Sequence, residues 1–264
     1  MNVLFLGDVV SETGRNMIAT HLEALRSRYA IDFVIANGEN VAHGKGITTA
    51  TYEKLVRLGI DAITLGNHYI TRQETDRFYT NADRLVRPYN LHPSAAGVGT
   101  RVFDVQGVKL RVTNILGRVF IRDLAPANPF DAMEEILLHA PEPLHIVDFH
   151  AEATGEKMAF GWNFDGKVSA IIGTHTHVQT TDSRILPQGT AYLSDVGMTG
   201  PYNGVIGAKK EEVIYRTRTG LPARFDVADG PGQLSGVVLT FDNATGKATA
   251  IRRLQITPDL EYYE

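Results

Sequence analysis

Short apolar runs alternate with longer amphipathic segments in the N-terminal part of the chain. The apolar runs at residues 3–6, 33–36 and 62–65 have the length and composition of buried strands. Between them, residues 12–29 and 48–58 carry apolar side chains at helical spacing. This order predicts a βαβαβ unit, whose right-handed crossovers arrange the strands as a parallel sheet with helices on its faces.

The pattern changes in the middle of the chain. Residues 97–117 predict a β-hairpin that turns at Gln106 and Gly107, and residues 144–147 and 170–172 are further candidates for buried strands. The remaining predicted elements are a helix at residues 129–139, antiparallel strands at residues 190–193, 234–241 and 248–256, and a helix at residues 209–218. No linker, repeat or low-complexity tract interrupts the sequence. We therefore expect one layered α/β domain over residues 1–264, with a small β subregion.

Side chains that can bind metal recur directly after five of the predicted strands. They are Asp8, Glu39 with Asn40, Asn67 with His68, His150, and His175 with His177. Each of these positions alone has an ordinary explanation, because Asp and Asn are common in turns and at helix N-caps. Their recurrence is more informative, because the ligands of open α/β sheets bind beyond the carboxyl ends of the strands. We expect the five places to converge on one crevice.

The residue types at these strand ends favour transition metals. Carboxylates, amides and imidazoles together form a mixed oxygen and nitrogen set that suits two ions of iron, manganese or zinc, and it is too rich in nitrogen for calcium. Two such ions can clamp a phosphate and activate water for in-line attack on phosphorus. A histidine that is not a ligand can protonate the leaving oxygen, and His68 is the natural candidate because it adjoins Asn67. The residues alone therefore predict phosphoester hydrolysis.

Composition removes several other classes of protein. The 264 residues contain no cysteine, which excludes disulfides, thiolate zinc sites, iron–sulfur clusters and cysteine nucleophiles. The 26 basic and 30 acidic residues give a net charge of −4 without a Lys/Arg block, which argues against a duplex-DNA binder. No apolar stretch has the length of a membrane span, and no basic leader precedes the first apolar run, so we expect a cytoplasmic protein. A homo-oligomer is neither required nor forbidden.

The strand-end residues also resemble the sequence blocks of a known superfamily. Gly7-Asp8, Gly38-Glu39-Asn40, Gly66-Asn67-His68, His150 and Gly173-Thr174-His175-Thr176-His177 resemble the blocks of the calcineurin-like metallophosphoesterases, with Val10 where a histidine ligand usually stands. Within that superfamily the chain resembles the YmdB-type family of bacterial cyclic-nucleotide phosphodiesterases, in the stretches LFLGDVV, NGENVAHGKG, DAITLGNH, IVDFHAEATGEK, IIGTHTHVQT and RILPQGTAYLSDVGMTGP. The resemblance covers nearly the whole chain. It implies a layered calcineurin-like α/β fold with mixed sheets flanked by helices.

The resemblance also implies a role for each residue. Asp8, Asn40 and His177 would bind one metal ion, Asn67, His150 and His175 would bind the second, and Glu39 would bridge the two. His68 would be the proton donor to the leaving group. The implied substrates are small molecules, 2′,3′-cyclic and 3′,5′-cyclic nucleotides, and the implied native metal is iron. At Tyr69-Ile70-Thr71 the chain departs from the Thr-Trp-Asp that many family members carry, so no role is transferred to this loop.

Two other functions remain open from the sequence. A phosphomonoesterase, such as a nucleotidase, could use the same metal centre, and a metal-loaded module could sense nucleotides or dock on an RNA-processing partner without turnover. Tyr69 and Trp162 are candidates for stacking on a base, although single aromatic residues more often lie in a core. His43, in a glycine-rich segment, is a candidate for phosphate contact or an ordinary surface loop residue.

Overall fold

The computed structural model describes residues 1–70, 74–121 and 124–263. Within them the chain forms two β-sheets that pack face to face, with helices on the outer faces. The helices are α1 (Ser11–Tyr29), α2 (Thr49–Arg57), α3 (Asp76–Asn81), α4 (Pro129–Leu137), α5 (Thr154–Asn163) and α6 (Lys210–Thr219). No helix in this part of the chain is long and apolar enough to cross a membrane.

The first sheet contains the predicted parallel strands. Its members are β1 (Asn2–Leu6), β2 (Asp8–Val9), β3 (Phe33–Asn37), β4 (Ala62–Thr64), β5 (Leu85–Val86), β12 (Met198–Pro201), β13 (Gly232–Phe241), β14 (Ala248–Ile256) and β15 (Glu261–Tyr263). Strands β1, β3, β4 and β5 are parallel neighbours in that order. On its other side β1 pairs antiparallel with β13. Strand β13 pairs antiparallel with β14, and β14 pairs antiparallel with β15.

The second sheet is also mixed. Its members are β6 (Thr100–Val105), β7 (Val108–Leu116), β8 (Leu144–His150), β9 (Ala170–Thr174), β10 (Arg184–Ile185) and β11 (Ala191–Leu193). Strands β7, β8, β9 and β11 are parallel neighbours, and β6 and β10 pair antiparallel at the two edges. The predicted hairpin is confirmed as β6 and β7, and it extends this sheet.

Three apolar clusters hold the layers together. Val3 and Phe5 of β1 pack in the cluster between the sheets, together with Ile146 of β8. The alternate residues of β1, such as Leu4, face Ile18 and other residues of α1 on the outer side of the first sheet. A third cluster packs α4 and α5 on the outer face of the second sheet. The parallel strands are buried on both faces, which is why they appear in the sequence as continuous apolar runs.

The layered α/β fold with mixed sheets is confirmed, and the parallel sheet predicted from the N-terminal βαβαβ unit is found as β1, β3 and β4. One detail of the sequence prediction is wrong. The strand at residues 190–193 was predicted to be antiparallel, but as β11 it pairs in parallel with its longer neighbour β9. Short buried strands carry no sequence signal for pairing direction, since both faces are apolar in either arrangement.

A buried histidine in β8 makes stability depend on pH. The Nε2 atom of His145 lies 2.8 Å from the hydroxyl oxygen of Thr113. Burial, assisted by the charge of Arg111, lowers the pKa of His145 to about 3. An unfolded histidine titrates near pH ~6.5, so at intermediate pH the unfolded chain binds a proton that the folded chain does not. The stability contributed by neutral His145 is therefore present above about pH 6.5 and is lost as the pH falls towards 3.

We expect the free energy of unfolding to fall by about 2 kcal/mol because of His145 when the pH is lowered from 7 to 5. Urea titrations at both pH values, on the wild type and on His145→Gln, measure this loss, which should be correspondingly smaller in the variant. His139→Gln replaces an exposed histidine and is the control, with the pH dependence of the wild type. Equal losses in the wild type and His145→Gln would contradict the prediction.

Candidate metal centre

The sequence-predicted site residues all lie at one edge of the two sheets. Asp8 begins β2, directly beyond β1. The others follow the carboxyl ends of β3, β4 and β9 or, for His150, form the last residue of β8. Because these strands run parallel within each sheet, their carboxyl ends meet at the same edge. The residues brought together are Asp8, Glu39, Asn40, Asn67, His68, His150, His175 and His177.

His150 lies at the centre of one group of donor atoms. Its Nε2 atom is 3.0 Å from Oδ1 of Asn67, 3.0 Å from Nδ1 of His175 and 3.3 Å from Oε1 of Glu39. Ligand atoms of Glu39, His150 and His175 all lie within 4.8 Å of one another. One ring nitrogen with at most one proton cannot satisfy three such neighbours by hydrogen bonding. Four donors around one point are the arrangement expected for a metal ion.

Asp8, Asn40 and His177 form a second group of donor atoms beside Glu39. The Nε2 atom of His177 lies 3.6 Å from Oδ1 of Asp8 and 3.0 Å from Nδ2 of Asn40. The Asn40 amide nitrogen is also 3.4 Å from Oε1 of Glu39. A rotation of this amide by 180° would present its oxygen to the same point. Glu39 therefore contacts both groups.

Two positions beside these residues have room only for glycine. A Cβ atom at Gly66 would collide with the carboxylate of Glu39 and the imidazole of His150. A Cβ atom at Gly7 would collide with the backbone of Gly197. The Gly-Asn-His and Gly-Asp blocks therefore reflect close packing around the site as well as the ligand-type residues themselves.

Each of the three histidines has a hydrogen-bond partner on the side away from the centre. Thr174 donates its hydroxyl proton to Asp148 (2.6 Å), so its oxygen accepts from Nδ1 of His150 at 2.8 Å. Nε2 of His175 lies 3.0 Å from a carboxylate oxygen of Glu152. Nδ1 of His177 donates to the carbonyl oxygen of Ile206 at 2.9 Å. Such outer contacts orient imidazole ligands and select the tautomer whose inner nitrogen is free to bind metal.

These outer partners were not identified from the sequence as site residues. Asp148, Glu152 and Thr174 lie within or next to the motif stretches, and this position is the only sequence signal that could have indicated them. Burial raises the pKa of Asp148 to about 6. Its two oxygens accept hydrogen bonds from Thr174, Thr64 and Asn37.

The loop that carries the last two histidines has an unusual backbone. His175 and His177 both adopt positive φ, at 103° and 65°. Positive φ is uncommon outside glycine, and it persists where the surroundings hold the backbone in place. The buried pair of Lys157 and Asp195 does this, because Lys157 donates to the carbonyl oxygen of Thr174 at 2.9 Å and Asp195 accepts from the backbone N–H of Thr176 at 3.0 Å.

The replacement Lys157→Met is expected to reduce the free energy of unfolding by about 3–5 kcal/mol. Lys157 and Asp195 are 2.7 Å apart, and each side chain is 1% exposed. Loss of the ammonium therefore leaves a buried carboxylate without its counter-charge. Denaturant unfolding measures the effect.

The pair of Lys109 and Asp104 provides a matched control. It has the same separation of 2.7 Å, but its side chains are 58% and 54% exposed. Lys109→Met should therefore cost much less than Lys157→Met, because water screens an exposed pair. Similar losses in the two variants would show that burial of the pair of Lys157 and Asp195 has no special importance.

The electrostatics of the site favour positive charge between the two carboxylates. Burial alone would raise the pKa of Asp8, but the charge and hydrogen bond of His177 bring it below its usual range. His150 has the same effect on the pKa of Glu39, which burial alone would also raise. Burial alone would lower the pKa of His177, but the charge and hydrogen bond of Asp8 raise it to about 9. Within the described part of the chain, neither carboxylate has a Lys or Arg partner.

The residues present thus fit the metal centre that the sequence predicts. Two ionised carboxylates are completely buried, three imidazoles turn one nitrogen inward and are held from outside, and two amides complete the groups. Burying two carboxylates without Lys or Arg is costly unless a cation compensates them. The donor set suits iron, manganese or zinc.

Other candidates from the sequence have different positions. The backbone N–H of His68 donates to Oε2 of Glu39 at 3.0 Å, so His68 adjoins the site. Tyr69 is buried, with its hydroxyl donating to the carbonyl oxygen of Ala96, and it is a core residue and not a surface for base stacking. Trp162 is half-exposed on α5, where the Arg184 guanidinium lies 5.2 Å from the ring centroid. Thr71 of the loop after His68 lies outside the described residues.

Comparisons with known proteins agree with this arrangement. A curated 2′,3′-cyclic-nucleotide 2′-phosphodiesterase of Bacillus subtilis (strain 168) is 47% identical over 266 aligned positions, which cover 100% of both chains. A solved structure described as a novel phosphatase of Mycoplasma pneumoniae has a TM-score of 0.93 at 41% identity, covering 97% of this chain and 93% of that one. A 5′-nucleotidase precursor of Thermus thermophilus shares the fold, with a TM-score of 0.55 at 14% identity, covering 97% of this chain and 54% of that one.

The family predicted from the sequence blocks is confirmed by these matches. The family described as YmdB-like protein matches residues 4–254, which include all eight predicted site residues. The phosphodiesterase activity inferred from the sequence is also the activity named for the Bacillus subtilis relative. The chain belongs to the family of YmdB-like proteins.

Proposed function

We propose that this protein is a two-metal phosphodiesterase that opens 2′,3′-cyclic nucleotides and also accepts 3′,5′-cyclic nucleotides. One observation carries the proposal: seven donor side chains from both sheets form a continuous network in which Glu39 contacts two groups. A site of this kind suits a substrate with a single phosphodiester. The activity named for the Bacillus subtilis relative supports the choice of cyclic nucleotides.

The ligand assignment follows the two groups. Asp8, Asn40 and His177 would hold the first ion, and Glu39 would bind both ions. Asn67, His150 and His175 would hold the second ion. When bound, two such ions would polarise the phosphodiester, lower the pKa of a water molecule and neutralise charge that develops on the phosphoryl oxygens. Iron is the proposed native metal, and manganese and zinc fit the same donors.

His68 acts as the proton donor in this proposal. Its backbone contact to Glu39 fixes the residue beside the bridging carboxylate, and its side chain is partly buried. Burial lowers the pKa of His68, and the charge of Glu39 partly offsets this. A phosphate anion beside the imidazole would favour its protonated form, which is the form that a leaving alkoxide needs.

The two sheets act together in this function. Asp8 and Glu39 come from the first sheet, and His150 and His175 come from the second. Neither sheet alone supplies a complete set of ligands. We therefore infer that residues 1–264 form one functional domain. The cytoplasmic location and the possible homo-oligomer stay predictions from the sequence.

Product identification tests the proposal. Protein loaded with iron or with manganese is incubated with 2′,3′-cyclic AMP, and the products are separated by chromatography, with metal-stripped protein as the control. We expect metal-dependent conversion to a single nucleoside monophosphate, with cleavage of the 2′ bond giving adenosine 3′-monophosphate. Faster release of inorganic phosphate from nucleoside monophosphates would identify a phosphomonoesterase instead. No turnover with any metal would identify a nucleotide-binding module.

A further inference from the structure

A polar cavity adjoins the candidate metal centre and has no role in the assignment above. Its volume is about 210 Å³, and His177 forms part of its wall. The opposite wall comes from the paired strands β13 and β14, where Gln233, Ser235 and Gln255 line the space. Gln179, from the loop after His177, also lines the cavity, together with apolar residues such as Val178 and Met198. The cavity therefore adjoins His177, a proposed ligand of the first metal ion.

The lining side chains have unused hydrogen-bonding capacity. Within the described part of the chain, the side-chain amides of Gln233 and Gln255 make no hydrogen bond. Gln179 is fixed because its Nε2 atom donates to the carbonyl oxygens of Val196, Gly236 and Leu254 at 3.0–3.2 Å. The carbonyl oxygen of the Gln179 side chain accepts no hydrogen bond from the described residues. Several amide groups thus converge on one small space, which is typical of a site that recognises a polar ligand.

The segment between the cavity and the metal centre is strained. Ile206 lines the cavity and adopts a positive φ of 47°. This conformation is a true outlier for a β-branched residue and persists only where the surrounding structure holds it. The carbonyl oxygen of Ile206 accepts the hydrogen bond from Nδ1 of His177. The same strained residue therefore orients a proposed metal ligand and closes the cavity.

We propose that this cavity is the subsite for the nucleobase of the substrate. The proposal rests on the cyclic-nucleotide function given above. A whole drug-sized ligand usually occupies about 300–1,000 Å³, so a cavity of about 210 Å³ suits one part of a ligand, such as a heterocyclic base. The edge of a base presents donors and acceptors that side-chain amides can match. Because a glutamine amide can rotate and exchange donor for acceptor, the subsite accepts more than one base.

Leucine replacements test the subsite. Gln233→Leu and Gln255→Leu keep the approximate size of the side chain and remove its hydrogen bonds. Each should raise the KM for 2′,3′-cyclic AMP about 3- to 10-fold, and the double variant should raise it at least about 10-fold. The kcat/KM for bis-p-nitrophenyl phosphate, which has no nucleobase, should change less than about 2-fold. Gln188→Leu replaces an exposed glutamine and is the control, with wild-type kinetics for both substrates.

Equilibrium binding separates this proposal from the proposed function. Calorimetry with adenosine 3′-monophosphate and with inorganic phosphate needs no turnover. The double variant should bind the nucleotide about 10-fold more weakly and should bind inorganic phosphate like the wild type. Unchanged binding of the nucleotide, or parallel losses for both probes, would overturn the subsite. If the double variant loses binding of the nucleotide alone but the wild type opens no cyclic nucleotide, the proposed function is overturned and the subsite stays supported.

Discussion

Replacing Glu39 with glutamine is expected to remove most of the metal and most of the activity. Glu39 is 1% exposed and contacts both donor groups through Oε1, which lies 3.3 Å from His150 and 3.4 Å from Asn40. The amide keeps the size of the side chain but loses the negative charge between the ions. Loss of an outer partner of a metal ligand typically costs about 10–100-fold in metal affinity or activity, and loss of a direct, bridging ligand should exceed that range.

Elemental analysis and steady-state kinetics on the same preparation measure both effects. We expect two ions per chain in the fully loaded wild type and a clear deficit in Glu39→Gln, with kcat/KM for 2′,3′-cyclic AMP reduced more than about 100-fold. Glu53→Gln removes an exposed carboxylate and is the control, with the metal content and activity of the wild type. A Glu39→Gln protein that keeps two ions and its activity would contradict the bridging role. A metal-replete wild type with one ion would contradict the two-metal centre.

The convergence of the site could be predicted because it follows from strand direction. Asp8, Glu39 and His150 are far apart in sequence, yet each lies where a buried strand ends. The periodicity of apolar residues locates such strands, and parallel pairing brings their carboxyl ends together. The split of the strands into two sheets did not prevent this prediction, because both sheets present these ends to the same edge.

The contacts that hold the ligands could not be predicted in the same way. Thr174 links His150 to Asp148 because β9 pairs with β8 in the register that sets Thr174 beside His150. Lys157 pairs with Asp195 beneath the histidine loop because α5 packs on the second sheet. The pattern of apolar residues gives neither the register of two buried strands nor the packing of a helix on them. The positive φ of His175 was equally hidden, since most residues that adopt it are glycines and most histidines do not. Sequence patterns therefore predict the donors and not their supports.

The replacement His68→Ala is expected to lower kcat for 2′,3′-cyclic AMP by about 100–10,000-fold, the usual contribution of a general acid. Metal content should stay at the wild-type level. The contact of residue 68 to Glu39 is made by the backbone N–H, which alanine retains. His139→Ala removes an exposed imidazole and is the matched control, with wild-type kinetics.

The leaving group distinguishes proton donation from a role in binding. The ribose alkoxide released from a cyclic nucleotide is a strong base and needs a proton, whereas p-nitrophenolate leaves without one. Loss of a proton donor should therefore slow the cyclic nucleotide much more than bis-p-nitrophenyl phosphate. Equal losses for the two substrates would mean that His68 positions the phosphate or supports Glu39. Unchanged rates for both at full metal content would mean that the proton comes from another group.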